Sequence, residues 1–233
     1  MTPPRRDAEG RRTAILDAAL RVFGQYGFRR TSMDDIAREA GIGKGTIYLS
    51  FAGKDEVFQA LSQGLAERML AGAEAARHGP GTTADKLAAM SSAWFGTYVQ
   101  TVWRSPHAAE LLDAKHRLSA DLIGQASGQF RRLVRDVLAE ADSGGELDLK
   151  AAGLTADTAA ELLIASGRGL ETSTSVPEDY QRYLDTMVRV LIAGLICASC
   201  SAAGRSRCRC PSWTAGRGSP AGSSRRPCTP GRS

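Results

Sequence analysis

Apolar residues recur at helical spacing along most of this 233-residue chain. An apolar side chain at every third or fourth position gives an α-helix one buried face. No segment shows the alternation of a β-strand, and no internal repeat is present. The pattern predicts an all-α fold with about nine helices. They cover residues 11–27, a segment from about residue 33 to 40, a segment from 44, and residues 55–77, 83–103, 105–115, 118–142, 155–172 and 177–196.

The segment at residues 31–51, TSMDDIAREAGIGKGTIYLSF, predicts a helix-turn-helix. Ile36 and Ala37 give its first helix a small apolar face, and Ile47 turns the apolar side of the second helix back toward Ile36. Gly41 stands where the chain must turn, because glycine adopts positive φ without steric cost. The opposite face of the second helix carries groups suited to base edges and phosphates: Lys44, Gly45, Thr46 and Tyr48.

Residues beside the helix-turn-helix extend this candidate DNA-contacting set. Thr31 and Ser32 offer hydroxyl caps for the helix near Met33, and Lys54 stands where the next helix begins. We expect Thr31 and Lys54 to position the protein on the DNA backbone, since helix starts favour anions. Lys44 suits guanine, Thr46 a thymine methyl or a phosphate, and Tyr48 a phosphate. The alternative for Tyr48 is packing against the core of its own domain.

The segment TSMDDIAREAGIGKGTIYLSFAGKDEVF strongly resembles the N-terminal domain of TetR-type transcriptional repressors. The resemblance is dense over residues 11–58 and looser beyond. It implies a DNA-binding head, a helical body with an effector pocket, and dimerisation through the last helices. Two departures stand in or beside the reading helix: Gly43 replaces the usual serine or other cap, and the segment YLSF at 48–51 replaces a frequent aromatic-histidine version. An ordinary corner in an unrelated all-α protein is the alternative interpretation.

Charge divides the chain into three parts. Residues 1–56 hold ten basic and eight acidic side chains, residues 57–196 thirteen and seventeen, and residues 197–233 seven arginines and no acid. These parts are predicted to be the DNA-binding head, the ligand-binding and dimerisation domain, and a disordered tail. The tail sets the basic pI, so DNA affinity must come from local placement of basic groups: Arg5, Arg6, Arg29, Arg30, Lys44 and Lys54.

All five cysteines lie in that tail, at positions 197, 200, 208, 210 and 228. The short gap between the pairs and the lack of a nearby histidine argue against a zinc site. No secretory signal favours disulfides, and the longest apolar run, residues 190–198, is short for a membrane span. We expect no metal or cofactor and a cytoplasmic protein. The tail is predicted to be a disordered appendage or an out-of-frame reading of a GC-rich gene.

One predicted body helix is rich in aromatic residues. Its large side chains either pack the core or line an apolar cavity with a few polar anchors. The candidate ligand-binding set is Met90, Trp94, Tyr98, Trp103, His116 and Arg168. His116 lies among charged neighbours, so it could be simply solvated. Arg168, on an apolar helix, calls for a carboxylate on a ligand or across a subunit interface. The resemblance favours a cavity, and a small apolar or aromatic effector is expected.

The last two predicted helices carry small-residue and apolar faces that suit a two-fold, four-helix interface. The predicted function is therefore a ligand-responsive repressor that binds a palindromic operator as a homodimer. One alternative is a constitutive DNA-binding dimer without an effector. Another is an all-helical enzyme or carrier, for which the sequence offers little: the three histidines lack metal-ligand spacing, and no G-x-S-x-G or phosphate loop is present. No catalytic residue is predicted.

Overall fold

The computed structural model describes residues 5–97, 99, 105–173 and 176–196. The predicted all-α fold is confirmed: within these ranges the chain forms nine α-helices, and one isolated β-bridge joins Leu147 to Ile196. The helices are α1 (Arg5–Tyr26), α2 (Met33–Glu39), α3 (Lys44–Tyr48), α4 (Lys54–Arg77), α5 (Thr83–Ser91), α6 (Ala108–Leu118), α7 (Ala120–Ser143), α8 (Ala156–Ser173) and α9 (Pro177–Ala193). A π-helical turn, Ser92–Gly96, continues α5.

The first four helices share a small hydrophobic core. Ile36 on α2 and Ile47 on α3 are both fully buried, so the predicted contact between the two helices is confirmed. Three phenylalanines, Phe23, Phe28 and Phe58, pack around one another with ring centroids 5.1–5.8 Å apart. This core also takes in Ala114 of α6, which is 1% exposed. Helix α6 of the body therefore covers part of the head core.

Helices α4, α5, α7, α8 and α9 enclose a second, larger core. Trp94 stacks on Phe130 at 4.7 Å between ring centroids, and the ring of Phe95 meets Phe130 edge-on. Gly167 on α8 makes this packing possible, because a Cβ there would lie 2.6 Å from the Phe95 ring. The buried Tyr180 of α9 donates its hydroxyl to the Gly167 carbonyl at 3.2 Å.

Helix α4 belongs to both cores. Val57 and Phe58 are buried in the first core, whereas Ala66, Met69 and Ala73 are buried in the second. The first core thus extends past the boundary expected at residue 56. Because both groups lie on one continuous helix, a rotation or shift of α4 moves side chains in both cores together.

Several predicted helix boundaries were wrong. Helix α1 begins at Arg5 rather than residue 11, and α9 ends at Ala193 rather than 196. Thr82 caps α5 by accepting from the Asp85 backbone N–H, while the Thr83 hydroxyl donates to Glu146. Helix α6 starts at Ala108, after a turn at 105–107, instead of at residue 105. At α5 and α6, a hydroxyl beside the helix start is engaged by a partner distant in sequence, Glu146 for Thr83 and the Gly24 carbonyl for Ser105.

Parts of the chain lie outside the described residues. These parts include the predicted tail from Cys197 onward and two of the candidate ligand-binding residues, Tyr98 and Trp103. None of the helices that are described is long and apolar enough to cross a lipid bilayer.

The turn between α2 and α3 gives a first test. Gly41 has φ +68°, as predicted, and a Cβ there would meet no atom within 4 Å. Any effect of substitution is therefore backbone strain, and Gly41→Val should lower the free energy of unfolding by about 1–3 kcal/mol. Gly41→Asn is the matched control, because asparagine tolerates this conformation better. Urea denaturation followed by circular dichroism measures both, and equal stability of the two variants would contradict the assignment.

Candidate nucleic-acid interface

The start of α2 is fixed by a reciprocal pair of hydrogen bonds. The Ser32 hydroxyl accepts from the Asp35 backbone N–H at 3.2 Å, and the Asp35 carboxylate accepts from the Ser32 backbone N–H at 3.0 Å. This is a capping box, and it confirms Ser32 as the predicted cap. The hydrogen bonds from Ser32 are the main cause that lowers the pKa of Asp35, with Arg38 adding to the effect. Ser32 itself remains exposed.

Thr31 has a different role from the one expected. Its side chain is 2% exposed, and its hydroxyl donates to the Gly27 carbonyl at 2.7 Å. That hydrogen bond satisfies the carbonyl of Gly27, the residue that follows α1. The hydroxyl proton is therefore engaged inside the head, which removes it from the candidate phosphate contacts.

Lys54 is likewise held by the protein. Its ammonium donates to the carbonyls of Phe28, Arg29 and Thr31 at 3.0, 3.1 and 3.1 Å, and lies 4.8 Å from the Phe28 ring centroid. An ammonium has three N–H donors, so all three are accounted for. Lys54 joins the start of α4 to the loop after α1, and its expected phosphate contact is replaced by this structural role.

The turn into α3 is made by backbone groups. The Ile42 N–H donates to the Ala37 carbonyl at 3.0 Å, and the Gly41 N–H donates to Arg38 at 3.2 Å. Gly43 is the N-cap of α3 and provides no side-chain hydrogen bond. The missing cap follows from the departure noted at this position. Burial of Ile47 therefore contributes much of the stability of this five-residue helix.

The outer face of α3 presents the residues predicted to read DNA. Lys44 and Gly45 are exposed, Thr46 is half-buried, and Tyr48 is 48% exposed. Tyr48 does not belong to the head core, so the alternative of core packing is not observed. Leu49 is 83% exposed at the end of the same helix. Four of the predicted contact residues thus lie together on one accessible surface.

An ion pair covers part of this surface. The Lys44 ammonium lies 2.8 Å from the Asp34 carboxylate, which places the start of α3 beside the first turn of α2. The hydrogen bond from Lys44 to Asp34 raises the pKa of Lys44, so the ammonium stays charged. Both side chains are more than half exposed, so opening this ion pair costs little. Asp34 was not predicted as a partner of Lys44.

Other basic residues of the head are also engaged. Arg12 donates to the Ser50 carbonyl at 3.2 Å, with its guanidinium 4.2 Å from the Phe51 ring centroid. Arg29 pairs with Asp113 of α6 at 3.6 Å, whereas Arg30 is exposed. The side chains of Arg5 and Arg6 fall outside the description. The positions of these basic side chains in the folded head, and not their number, therefore determine which of them face solvent.

The comparisons identify this helix-turn-helix. Residues 15–61 match the family model of bacterial regulatory proteins, tetR family. Residues 15–61 therefore form a helix-turn-helix of the TetR type. The match spans all of α2 and α3 and the start of α4.

Two curated TetR-like relatives show how far the likeness extends. The uncharacterised HTH-type transcriptional regulator YhgD of Bacillus subtilis is 42% identical over 59 residues, which are 25% of this chain and 31% of YhgD. The HTH-type transcriptional repressor Rv1474c of Mycobacterium tuberculosis is 31% identical over 124 residues, 52% of this chain and 65% of the relative. The chain thus spans less than two thirds of the length of the curated relatives it matches.

A solved structure extends the likeness in fold to the body. SmeT, the repressor of the Stenotrophomonas maltophilia multidrug efflux pump SmeDEF, aligns with a TM-score of 0.60 over 80% of this chain and 90% of its own. At 21% sequence identity the likeness concerns the fold. The nine described helices therefore follow the fold of that repressor.

The predicted ligand-binding residues do not all converge. Trp94 and Arg168 line one cavity of about 90 Å³, with Phe95, Ser127 and Ser62. Arg168 donates to the Ser127 hydroxyl at 2.6 Å. Met90 is fully buried in the body core, and His116 is exposed on α6 and absent from the described cavities. These positions agree with the alternatives of core packing for Met90 and of solvation for His116.

A larger cavity, which the sequence analysis missed, lies where the head meets the body. It holds about 300 Å³ between α1, α4 and α6. Its walls include Leu20, Phe23, Leu61, Leu65 and Leu111, and Ser62, Leu65 and Lys115 also line the smaller cavity. No sequence signal marked it, because its three walls are far apart in the chain.

The reassignment of Lys54 can be tested by stability. Lys54→Met removes three hydrogen bonds from a charged donor and leaves carbonyls without their partner, so the free energy of unfolding should fall by about 1.5–3 kcal/mol. Lys150→Met, at an exposed lysine, is the control and should stay within about 0.5 kcal/mol of the parent. Denaturant titration measures both. Unchanged stability, together with a shallower salt dependence of DNA binding, would restore Lys54 as a phosphate contact.

Proposed function

We propose that this chain is a sequence-specific regulator that binds a palindromic operator as a homodimer and answers to a small-molecule effector. The observation that carries the DNA-binding part is the accessible outer face of α3, held over a buried Ile47 in a helix-turn-helix that matches the TetR-family model. The head, about residues 1–56, would bind DNA, and the body, 57–196, would bind the effector and dimerise. The proposed DNA contacts are Ser32, Lys44, Gly45, Thr46 and Tyr48.

Each proposed contact has a chemical role. Lys44 donates to guanine O6 and N7 once it leaves Asp34, and Thr46 meets a thymine methyl or a phosphate. Tyr48 reaches a phosphate with its hydroxyl, and the absence of a side chain at Gly45 allows close approach to the groove. Ser32, at the exposed start of α2, would contact the DNA backbone once its hydroxyl leaves the Asp35 carboxylate. Base contacts specify the sequence, and phosphate contacts set the orientation.

Dimerisation is supported by an uncovered apolar surface on α8 and α9. Leu162, Tyr183 and Val190 are 47%, 45% and 65% exposed. The opposite face of α9 is buried through Leu184, Val188 and Ile192, so these exposed residues are surplus to the core of one subunit. A two-fold, four-helix interface would cover them. It would also hold two heads about 34–36 Å apart, the spacing of successive major grooves on one side of DNA.

Contacts from the body to the end of α1 provide a route for effector control. The Ser105 hydroxyl donates to the Gly24 carbonyl at 2.7 Å, and His107 Nε2 lies 3.2 Å from the Gln25 carbonyl. Glu110 of α6 accepts from the backbone N–H of Arg29. A ligand that displaces α6 would therefore pull on α1 and change the position of the head.

The energetics set a condition on this control. An effector shifts the equilibrium only if it binds the DNA-incompetent arrangement more tightly than the competent one. A coupling of about 1–3 kcal/mol would change operator affinity about 5- to 150-fold. SmeT, which has the same fold, has been solved in a complex with triclosan, which supports a small-molecule effector for this architecture.

Variants of the Lys44–Asp34 pair test the reading surface. Lys44→Ala should weaken operator binding by about 1–3 kcal/mol and relax the preference at one base pair in each half-site. Asp34→Asn should strengthen binding to all duplexes, because it frees Lys44 and removes a carboxylate beside the DNA. Selection of bound sequences from random duplexes, with titration of the selected site, measures both effects. Lys150→Ala controls for loss of a distant charge. An unchanged motif and affinity for Lys44→Ala would exclude α3 as the reader.

A further inference from the structure

We propose that the cavity between α1, α4 and α6, here called the junction cavity, is a second ligand site that takes a small organic anion with an apolar body. It is distinct from the smaller cavity beside Trp94 and Arg168, although the two share Ser62, Leu65 and Lys115. Binding at this site needs no DNA, so it stands apart from the proposed operator function.

The size and walls of the junction cavity suit an apolar ligand. Its volume of about 300 Å³ lies at the lower end of the range of small-molecule sites. The walls are almost entirely aliphatic and aromatic side chains, which give water few hydrogen bonds. Leu20 is 42% exposed here, while its neighbours Ala19 and Phe23 on α1 are buried. An apolar occupant would remove this surface from water.

Gly24 keeps part of the junction cavity open. It lies inside α1 and lines the cavity, and a Cβ at this position would meet no atom within 4 Å. Glycine inside a helix lowers its stability relative to alanine. No close neighbour in the described structure requires a glycine here. A side chain at this position would extend into the space that a ligand would occupy.

The charges at the junction cavity select an anion. Arg68 of α4 and Lys115 of α6 line it, and its described lining includes no aspartate or glutamate. Arg68 is exposed, so its guanidinium can pair with a carboxylate or sulfonate at the entrance while the apolar part lies inside. A neutral molecule of the same shape gains only the apolar contacts.

An occupant would touch the head and the body at once. Phe23 and Gly24 belong to α1 of the head, whereas Leu111 and Lys115 belong to α6. The hydrogen bonds from Ser105 and His107 to the end of α1 lie along the same junction. A ligand here therefore fixes the separation of α1 and α6 directly, without a relay through the body core.

Two fluorescent probes of matched shape test the proposal on the full chain without DNA. 1-Anilinonaphthalene-8-sulfonate is the anionic probe, and N-phenyl-1-naphthylamine lacks only the sulfonate. Equilibrium titration should give saturable binding of both, tighter for the anion. Arg68→Gln should weaken the anionic probe about two- to fivefold and leave the neutral probe unchanged. Arg132→Gln, at an exposed arginine of α7, is the charge control and should change neither.

A second variant tests the location. Gly24→Leu should abolish saturable binding of both probes at this site, and Gly10→Leu, in the same helix with open space around it, should not. Thermal unfolding verifies that each variant is folded; if Gly24→Leu is not, Arg68→Gln with the two probes decides alone. Parent-like affinity in folded Gly24→Leu overturns the site. Equal effects of Arg68→Gln on both probes overturn the selection for an anion.

Discussion

The shared burial of helix α4 is the constraint on which the rest of the structure depends. Its first turns complete the head core through Val57 and Phe58, and its middle turns enter the body core through Ala66 and Met69. The ammonium of Lys54 fixes its first residue to three carbonyls of the loop after α1. Helix α4 therefore orients the helix-turn-helix and also packs in the core of the proposed effector-binding body. A shift of α4 in the body core moves its residues in the head core as well.

The charge of the molecule is organised locally around this frame. The net charge of +5 owes most to the seven arginines of the C-terminal segment, yet the proposed reading surface depends on a single lysine of α3. That lysine is already paired with Asp34, so DNA would exchange one anionic partner for another. The exposed pair with Asp34 costs little to open, so the contacts that Lys44 and its neighbours on α3 make with base edges determine sequence preference.

Local features of this fold were predictable from sequence because their physical causes are local. The turn at Gly41, the apolar contact of Ile36 with Ile47, and the cap at Ser32 each depend on residues within a dozen positions. The partners of Lys54 were not predicted, because they are backbone carbonyls more than twenty residues away that only the folded head brings close. Sequence pattern shows which residues are apolar or charged, but it does not show which carbonyl will lie beside them.

The cavities illustrate the same limit at longer range. Trp94 and Arg168 were predicted as ligand-binding residues because each stood out in its own helix. They line a common cavity. The junction cavity needs Leu20, Leu61 and Leu111 from three helices, and each of them reads as ordinary core in the sequence. A cavity forms where the side chains of several helices leave space between them. It has no counterpart in the periodicity of any one helix.

The central claim is that two heads, fixed by α4 and joined through α8 and α9, read DNA symmetrically. Selection of bound duplexes from a random library by the unmodified chain tests this most directly. The account predicts an enriched inverted repeat whose half-site centres lie one helical turn, about 10 base pairs, or a multiple of it apart. Enrichment of a single unrepeated half-site, or of no sequence at all, would contradict it.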